Sequence, residues 1–141
     1  MVRETNRQKL ERFFAAFESG DEATQAALLH PDFLIVEADG LPYGGAYHGL
    51  AGWQALAAKI FATWSDAKIA PQFILGEDDG DRFAAMHHMK GRSSRSGLPF
   101  DTSIFELWSF RDGLIVDIRP HYWDTKMMAD IHAAVADSRV V

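Results

Sequence analysis

Two glutamates lie within apolar segments, where a carboxyl group could take part in proton transfer. Glu37 follows the apolar run 33–36, and Glu106 lies between Phe105 and Leu107. Burial raises the pKa of a glutamate carboxyl above its reference value of about 4.3. A carboxyl with a raised pKa can hold or accept a proton near neutral pH, so both glutamates are candidates for general acid–base chemistry. The alternative for each is a position on the solvent face of its strand.

The alternation of side chains along a strand bears on this choice. Glu106 shares its face with Ile104 and Trp108, whereas Phe105 and Leu107 point the other way. Both faces therefore carry large apolar side chains, and neither is plainly exposed. We expect Glu106 to face a pocket, while for the other glutamate the two alternatives remain equal.

Histidine and tyrosine side chains could supply further acid–base groups. His88 shares its strand face with Met86 and could enter the pocket, although a core or surface position is the commoner outcome for a lone histidine. Tyr43 and Tyr47 lie in a glycine-rich loop that could cover the pocket mouth. The adjacent His87 and His88 point to opposite faces of a strand, so they cannot bind one metal ion together. We expect no metal site.

The last strand offers one hydroxyl and, at its end, one carboxyl. Tyr122 shares the apolar face of this strand with Ile118, so it is the expected pocket hydroxyl. If Pro120 marks an edge or a bulge, the alternation of side chains changes and His121 or Trp123 turns inward instead. Asp124 is either a catalytic acid or the N-cap of a closing helix, and we favour the cap, which is worth about 1 kcal/mol.

Helices that precede strands must position these groups. Apolar spacing predicts a first helix that ends at Gly20, and Asp21 can then cap a short second helix that runs through Leu29. The segment 39–49 is dense in glycine and proline and predicts a loop. A third helix would carry both Trp53 and Trp64 on its apolar face.

Strands make up most of the second half of the chain. A strand at 33–37 precedes four more candidates, which are 72–75, 82–90, 100–110 and 114–122. Gly113 provides the tight turn before the last of them. The apolar positions of the closing helix are Met127 or Met128, Ile131 and Val135. Helices followed by an antiparallel meander indicate an α+β fold with helices on one face of a sheet.

This order of elements, with several sequence motifs, resembles the nuclear transport factor two-like superfamily and, within it, the SnoaL-like and ketosteroid isomerase-like branches. The motifs are Phe14-x-x-Phe17 with Gly20-Asp21, HPDFLIVE (30–37), LPYGGAYHG (41–49) and FELWSFRDGLIVDIRPHYWD (105–124). The resemblance covers nearly the whole chain as one domain, 1–141. It implies a cone-shaped, curved, antiparallel-rich sheet wrapped around the N-terminal helices, that is, a cystatin-like α+β barrel with an apolar pocket.

The resemblance also implies site residues. Ketosteroid isomerases have a carboxylate base at the position of Glu37 and a neutral carboxylic acid at that of Glu106. Their first-helix tyrosine corresponds to Phe13, which lacks a hydroxyl, so half of the usual oxyanion hole is missing. The catalytic candidates are Glu37, Glu106, His88 and Tyr122. The side chains expected to bind ligand are Phe13, Phe17, Tyr43, Tyr47, Trp53, Trp64, Met86, Trp108, Ile118 and His121.

Composition limits the classes of function. The 141 residues contain no cysteine, which excludes thiol nucleophiles, and the net charge of −6 argues against nucleic acid and anionic membranes as partners. The charged N-terminus and the lack of a long apolar segment favour a cytoplasmic protein. We expect a homodimer that buries the sheet face of Phe105 and Leu107.

The expected function is that of an isomerase, cyclase or dehydratase that acts without a cofactor on a small apolar carbonyl compound. Proton transfer next to a carbonyl requires a base and a hydrogen-bond donor to the developing oxyanion. A non-catalytic ligand-binding or association module is the alternative. The phenylalanine at position 13 favours this module, whereas the polar groups at Glu37, Glu106 and Tyr122 favour the enzyme.

Overall fold

The elements follow the predicted order, with helices first and strands later. The computed structural model describes residues 3–134. Within them the elements are α1 (Asn6–Ser19), α2 (Glu22–Leu28), β1 (Leu29–Glu37), β2 (Gly45–His48), α3 (Gly49–Thr63), β3 (Trp64–Leu75), β4 (Arg82–Ser93), β5 (Pro99–Arg111), β6 (Leu114–Tyr122) and α4 (Thr125–Ala133). The predicted α+β class is confirmed.

Local capping determines where the first two helices begin and end. The side chain of Thr5 accepts a hydrogen bond from the backbone N–H of Gln8, whose side chain accepts one from the backbone N–H of Thr5. Gly20 ends α1 in the left-handed conformation with φ 74°. Asp21 then caps α2 by accepting from the backbone of Thr24.

One six-stranded sheet, in the order β2-β1-β6-β5-β4-β3, forms the other layer. The pair β1–β6 is parallel and the other pairs are antiparallel. The register places His87 opposite Ile104, which in turn lies opposite Tyr122. One row further along the same face, Ala85 lies opposite Glu106. The sheet thus brings one histidine, one glutamate and one tyrosine side by side.

The helices cover this inner face and complete the core. Leu10 and Phe13 of α1 and Leu56 of α3 are fully buried. Aromatic rings join the layers, since Phe13 packs against Trp53 and against Trp108 with ring centroids 5.3 and 5.5 Å apart.

Several element bounds differ from the prediction because pairing partners that are distant in sequence determine them. Helix α3 ends at Thr63, so Trp64 is the first residue of β3 and not a helix residue. β3 extends over Trp64–Leu75 because it pairs with β4 along nearly its whole length. Residues 45–48 of the predicted loop form the edge strand β2, which pairs with β1. β1 itself begins at Leu29, four residues before the predicted start.

The alternation of inward and outward side chains along β6 is interrupted, but the interruption is not at Pro120. The pairing with β5 is irregular between Ser109 and Phe110, opposite Asp117 and Ile115. Because of this bulge, Ile115 and Ile118 both face the core although they are three residues apart.

The last described helix has the predicted cap. Asp124 accepts a hydrogen bond from the backbone N–H of Met127, and Met128 is fully buried. Ile131 packs against the core, while Val135 lies outside the described residues. Among residues 3–134, none of the helices combines the length and the apolar character needed to cross a membrane.

Candidate active site

A cavity of about 60 Å³ lies between the inner face of the sheet and helices α1 and α3. Most of its wall is apolar, and the polar side chains in it are two glutamates, one histidine and one tyrosine. The lining residues are Phe13, Phe14, Phe17, Ile35, Glu37, Trp53, Leu56, Ile60, Ile69, Pro71, His87, Ile104, Glu106, Trp108, Pro120 and Tyr122.

Glu37 is a carboxyl group almost without solvent contact. It is the last residue of β1, its exposed fraction is 2%, and its Oε1 has no hydrogen-bond partner among the described residues. Burial, together with the nearby charge of Glu106, raises the pKa of Glu37 to about 8. The side chain therefore carries a proton at neutral pH and loses it in mildly basic solution.

Glu106 is paired with a histidine from the neighbouring strand. Oε1 of Glu106 lies 2.6 Å from Nε2 of His87, which is within the distance of an ion pair. The orientation of the imidazole ring does not align this nitrogen for a hydrogen bond. The same oxygen accepts a hydrogen bond of 3.1 Å from Nε1 of Trp108. Phe14 packs edge-on against the imidazole, with ring centroids 4.9 Å apart. The sequence did not indicate this partner, because His87 belongs to the neighbouring strand.

His87, and not His88, faces the cavity. The buried face of β4 carries Phe83, Ala85, His87 and Met89. The side chain of His88 is 39% exposed and forms an ion pair with Asp101. The prediction that His88 and Met86 enter the pocket is therefore wrong. Apolar residues occupy both faces of β4, so the alternation correctly grouped the residues but did not show which group is inside.

His121 also lies outside the cavity. It is exposed on β6, because the bulge of this strand precedes Ile118 and leaves Pro120 and Tyr122 facing inward. Its prediction as a ligand-binding residue is wrong for that reason.

Tyr122 connects the cavity to a buried group of polar aromatic side chains. Its hydroxyl lies 2.7 Å from the hydroxyl of Tyr43, which accepts a hydrogen bond of 2.9 Å from Nε1 of Trp64. The hydroxyl of Tyr47 donates to the backbone carbonyl of Tyr43 at 2.8 Å. Burial raises the pKa of both Tyr43 and Tyr122 well above the usual tyrosine value, so both keep their protons.

The remaining predicted residues divide into two groups. Tyr43, Tyr47, Trp64 and Ile118 are buried behind the cavity wall and are not in the lining. The predicted residues that the structure brings together around the cavity are Phe13, Phe17, Glu37, Trp53, Glu106, Trp108 and Tyr122. Their roles in catalysis or binding stay predictions.

Nine lining residues were not among the predicted site residues, and two of them, Phe14 and His87, pack against each other beside Glu106. Phe14 belongs to the apolar stripe of α1, and this stripe could have indicated it. His87 had no such signal, because its importance depends on which face of β4 turns inward. In the described part of the chain, 3–134, no group of three or more metal-binding side chains comes together.

Comparison with known proteins relates this architecture to one family. The family model of the SnoaL-like domain matches residues 10–118. No curated protein matches the chain.

Solved structures of the same fold share little sequence with the chain. A nuclear transport factor two-like protein of unknown function from Burkholderia pseudomallei is 24% identical, with a TM-score of 0.81 over 92% of this chain and 98% of that one. A proposed SnoaL-like polyketide cyclase from Jannaschia is 16% identical, with a TM-score of 0.76 over 95% and 97% of the two chains. A protein from Catenulispora acidiphila with a ketosteroid isomerase-like fold, in complex with trimethylamine, is 16% identical, with a TM-score of 0.67 over 82% and 85%.

Proposed function

We propose that this chain, which belongs to the SnoaL-like domain family, is an enzyme that moves a proton next to the carbonyl group of a small apolar compound. The reaction would be an isomerisation, a cyclisation or a dehydration, with no cofactor. The observation that carries the proposal is Glu37, a carboxyl group with a pKa of about 8 in the wall of an apolar cavity.

A carboxyl group with this pKa is suited to both halves of a proton transfer. At pH 7 about one tenth of Glu37 is ionised if its pKa is about 8, and this ionised form is a far stronger base than an exposed glutamate. The carboxylate would take a proton from the carbon next to the carbonyl. The resulting carboxylic acid would return the proton to another carbon or to a leaving group.

The other polar groups of the cavity would serve the developing oxyanion. Tyr122 keeps its proton and faces the same cavity as Glu37, so it would donate a hydrogen bond to the carbonyl oxygen. His87 and Glu106, which lie side by side, would be further ionisable groups in the cavity wall. Trp108 fixes the orientation of this glutamate by donating to its Oε1.

The cavity limits the class of substrate. A volume of about 60 Å³ is well below the roughly 300 Å³ at which pockets for drug-sized ligands begin. Within residues 3–134, its lining contains no lysine or arginine, which disfavours carboxylate or phosphate groups on the substrate. A small, uncharged ketone or enone fits these properties, and a larger one would require side chains such as Phe17 to move.

A non-catalytic ligand-binding module is the second candidate. It is favoured by Phe13, which has no hydroxyl at the position where the resembled isomerases carry a tyrosine. Such a module would bind apolar molecules in the same cavity without exchanging their protons.

Hydrogen–deuterium exchange separates these two functions. Cyclopentanone in D₂O would be followed by NMR, because each proton transfer at the carbon next to the carbonyl replaces hydrogen by deuterium. We expect exchange above the buffer rate with wild-type protein and a loss of about 100-fold in Glu37→Gln. His88→Gln, on the outer face of the sheet, is the matched control and keeps the wild-type rate. Binding of the ketone without exchange would favour the module.

A further inference from the structure

Three buried side chains form a hydrogen-bonded chain that ends at the cavity. Nε1 of Trp64 donates to the hydroxyl of Tyr43 at 2.9 Å, and this hydroxyl lies 2.7 Å from the hydroxyl of Tyr122. Trp64 and Tyr43 lie behind the wall, and Tyr122 is in it. Distances alone do not say which tyrosine donates to the other.

Counting protons restricts the possibilities. The indole of tryptophan can only donate, and each tyrosine hydroxyl has one proton to donate and two lone pairs that accept. The chain therefore contains three donor protons but only two hydrogen bonds. One hydroxyl proton must point away from the chain, and it belongs either to Tyr43 or to Tyr122.

Access to the cavity decides between the two hydroxyls. Tyr43 is 2% exposed and does not line the cavity, and among the described residues its hydroxyl has hydrogen bonds only with Trp64 and Tyr122. If Tyr122 donated to Tyr43, the proton of Tyr43 would be buried without an acceptor, which proteins avoid. If Tyr43 donates to Tyr122, the free proton is that of Tyr122, at the cavity surface, where a ligand or water can accept it.

We infer that Trp64 and Tyr43 are positioning residues that direct the hydroxyl proton of Tyr122 into the cavity. Each donor in such a chain polarises the next one, so Tyr122 becomes a stronger donor than an isolated tyrosine. This arrangement favours a ligand with a hydrogen-bond acceptor, such as a carbonyl oxygen. The direction of the chain is independent of the proposed function, and only the identity of the acceptor depends on it.

Neutron diffraction from crystals of the deuterated protein tests the direction of the chain without any ligand. We expect the deuteron between the two hydroxyls to be bonded to Tyr43, and the deuteron of Tyr122 to point into the cavity. A deuteron bonded to Tyr122 and pointing at Tyr43 would overturn the inference.

Infrared spectra of bound cyclopentanone, labelled with ¹³C at the carbonyl, test the effect on a ligand. Donation by Tyr122 lowers the carbonyl stretching frequency, so Tyr122→Phe should lose this downshift. Tyr43→Phe should lose about 10–30% of it, because the donor behind Tyr122 is gone. If the chain ran the other way, Tyr43→Phe would free the proton of Tyr122 and increase the downshift.

Tyr47→Phe is the matched control. It removes a buried hydroxyl that donates to the backbone of Tyr43 and is not part of the chain, so the spectrum should stay that of the wild type. A ketone that fails to bind wild-type protein would contradict the proposed function, whereas the deuteron position decides the donor chain in either case.

Discussion

Replacing Glu37 by glutamine should change the dependence of stability on pH. In the folded protein the pKa of this carboxyl is about 8, against 4.5 for an exposed glutamate, a difference of 3.5 pH units. Between these values the folded protein holds a proton that the unfolded chain has released. The contribution of Glu37 to the free energy of unfolding therefore falls as the pH rises from about 4.5 to 8 and is level above it. At 1.36 kcal/mol per unit the total loss is about 5 kcal/mol.

This loss is large against the roughly 5–15 kcal/mol by which whole domains are stable. Glutamine has nearly the same shape and does not ionise, so the variant lacks the loss. Urea unfolding at pH 5, 7 and 9 measures the free energy directly. Between pH 5 and 9, the free energy of unfolding of Glu37→Gln relative to that of the wild type should rise by about 4 kcal/mol, most of it below pH 8.

A surface variant provides the control for this series. Glu77 is exposed in the turn between β3 and β4, so Glu77→Gln should follow the wild type at every pH. Any cost of burying the glutamine amide is the same at all three pH values and leaves the slope unaffected. Parallel curves for wild type and Glu37→Gln would refute the raised pKa and, with it, the buried neutral carboxyl.

The remaining predictions concern the ion pair, the ligand and the sheet face. His87→Leu leaves Glu106 in the wall without its partner and should lower the free energy of unfolding by about 3 kcal/mol in urea titrations, whereas an unchanged value would mean that the pair is not formed. Small ketones should change tryptophan fluorescence through Trp108 in the cavity wall, and added chelator should leave this response unchanged. We also propose a homodimer through the outer sheet face, where Phe105 and Leu107 are each 38% exposed, and sedimentation of the wild type as a monomer at micromolar concentration would contradict it.

Much of the fold could be predicted because its signals are local. The end of α1 at Gly20 and the cap at Asp124 are set by neighbouring residues, and both are as predicted. The strand β6 has the predicted bounds, since the turn at Gly113 and the helix cap enclose it. Trp64 illustrates the limit, because its apolar spacing continues the helix while its pairing with Ser93 makes it a strand residue.

The site depends on relations that the sequence does not contain. Alternation grouped His88 with Met86 correctly, but only the packing of the helices decides which face of β4 is inside. In the same way the partner of Glu106 is His87, and the register of two strands brings it there. The hydrogen bond between Tyr43 and Tyr122 joins residues 79 positions apart, beyond the reach of any local pattern.

Glu37 holds a proton near neutral pH within the cavity, and a ¹³C NMR titration of its carboxyl carbon tests this most directly. The signal is assigned by its absence from the spectrum of Glu37→Gln. A midpoint near pH 8 is the predicted result. A midpoint near the 4.5 of an exposed glutamate would contradict the claim and remove the group on which the proposed proton transfer depends.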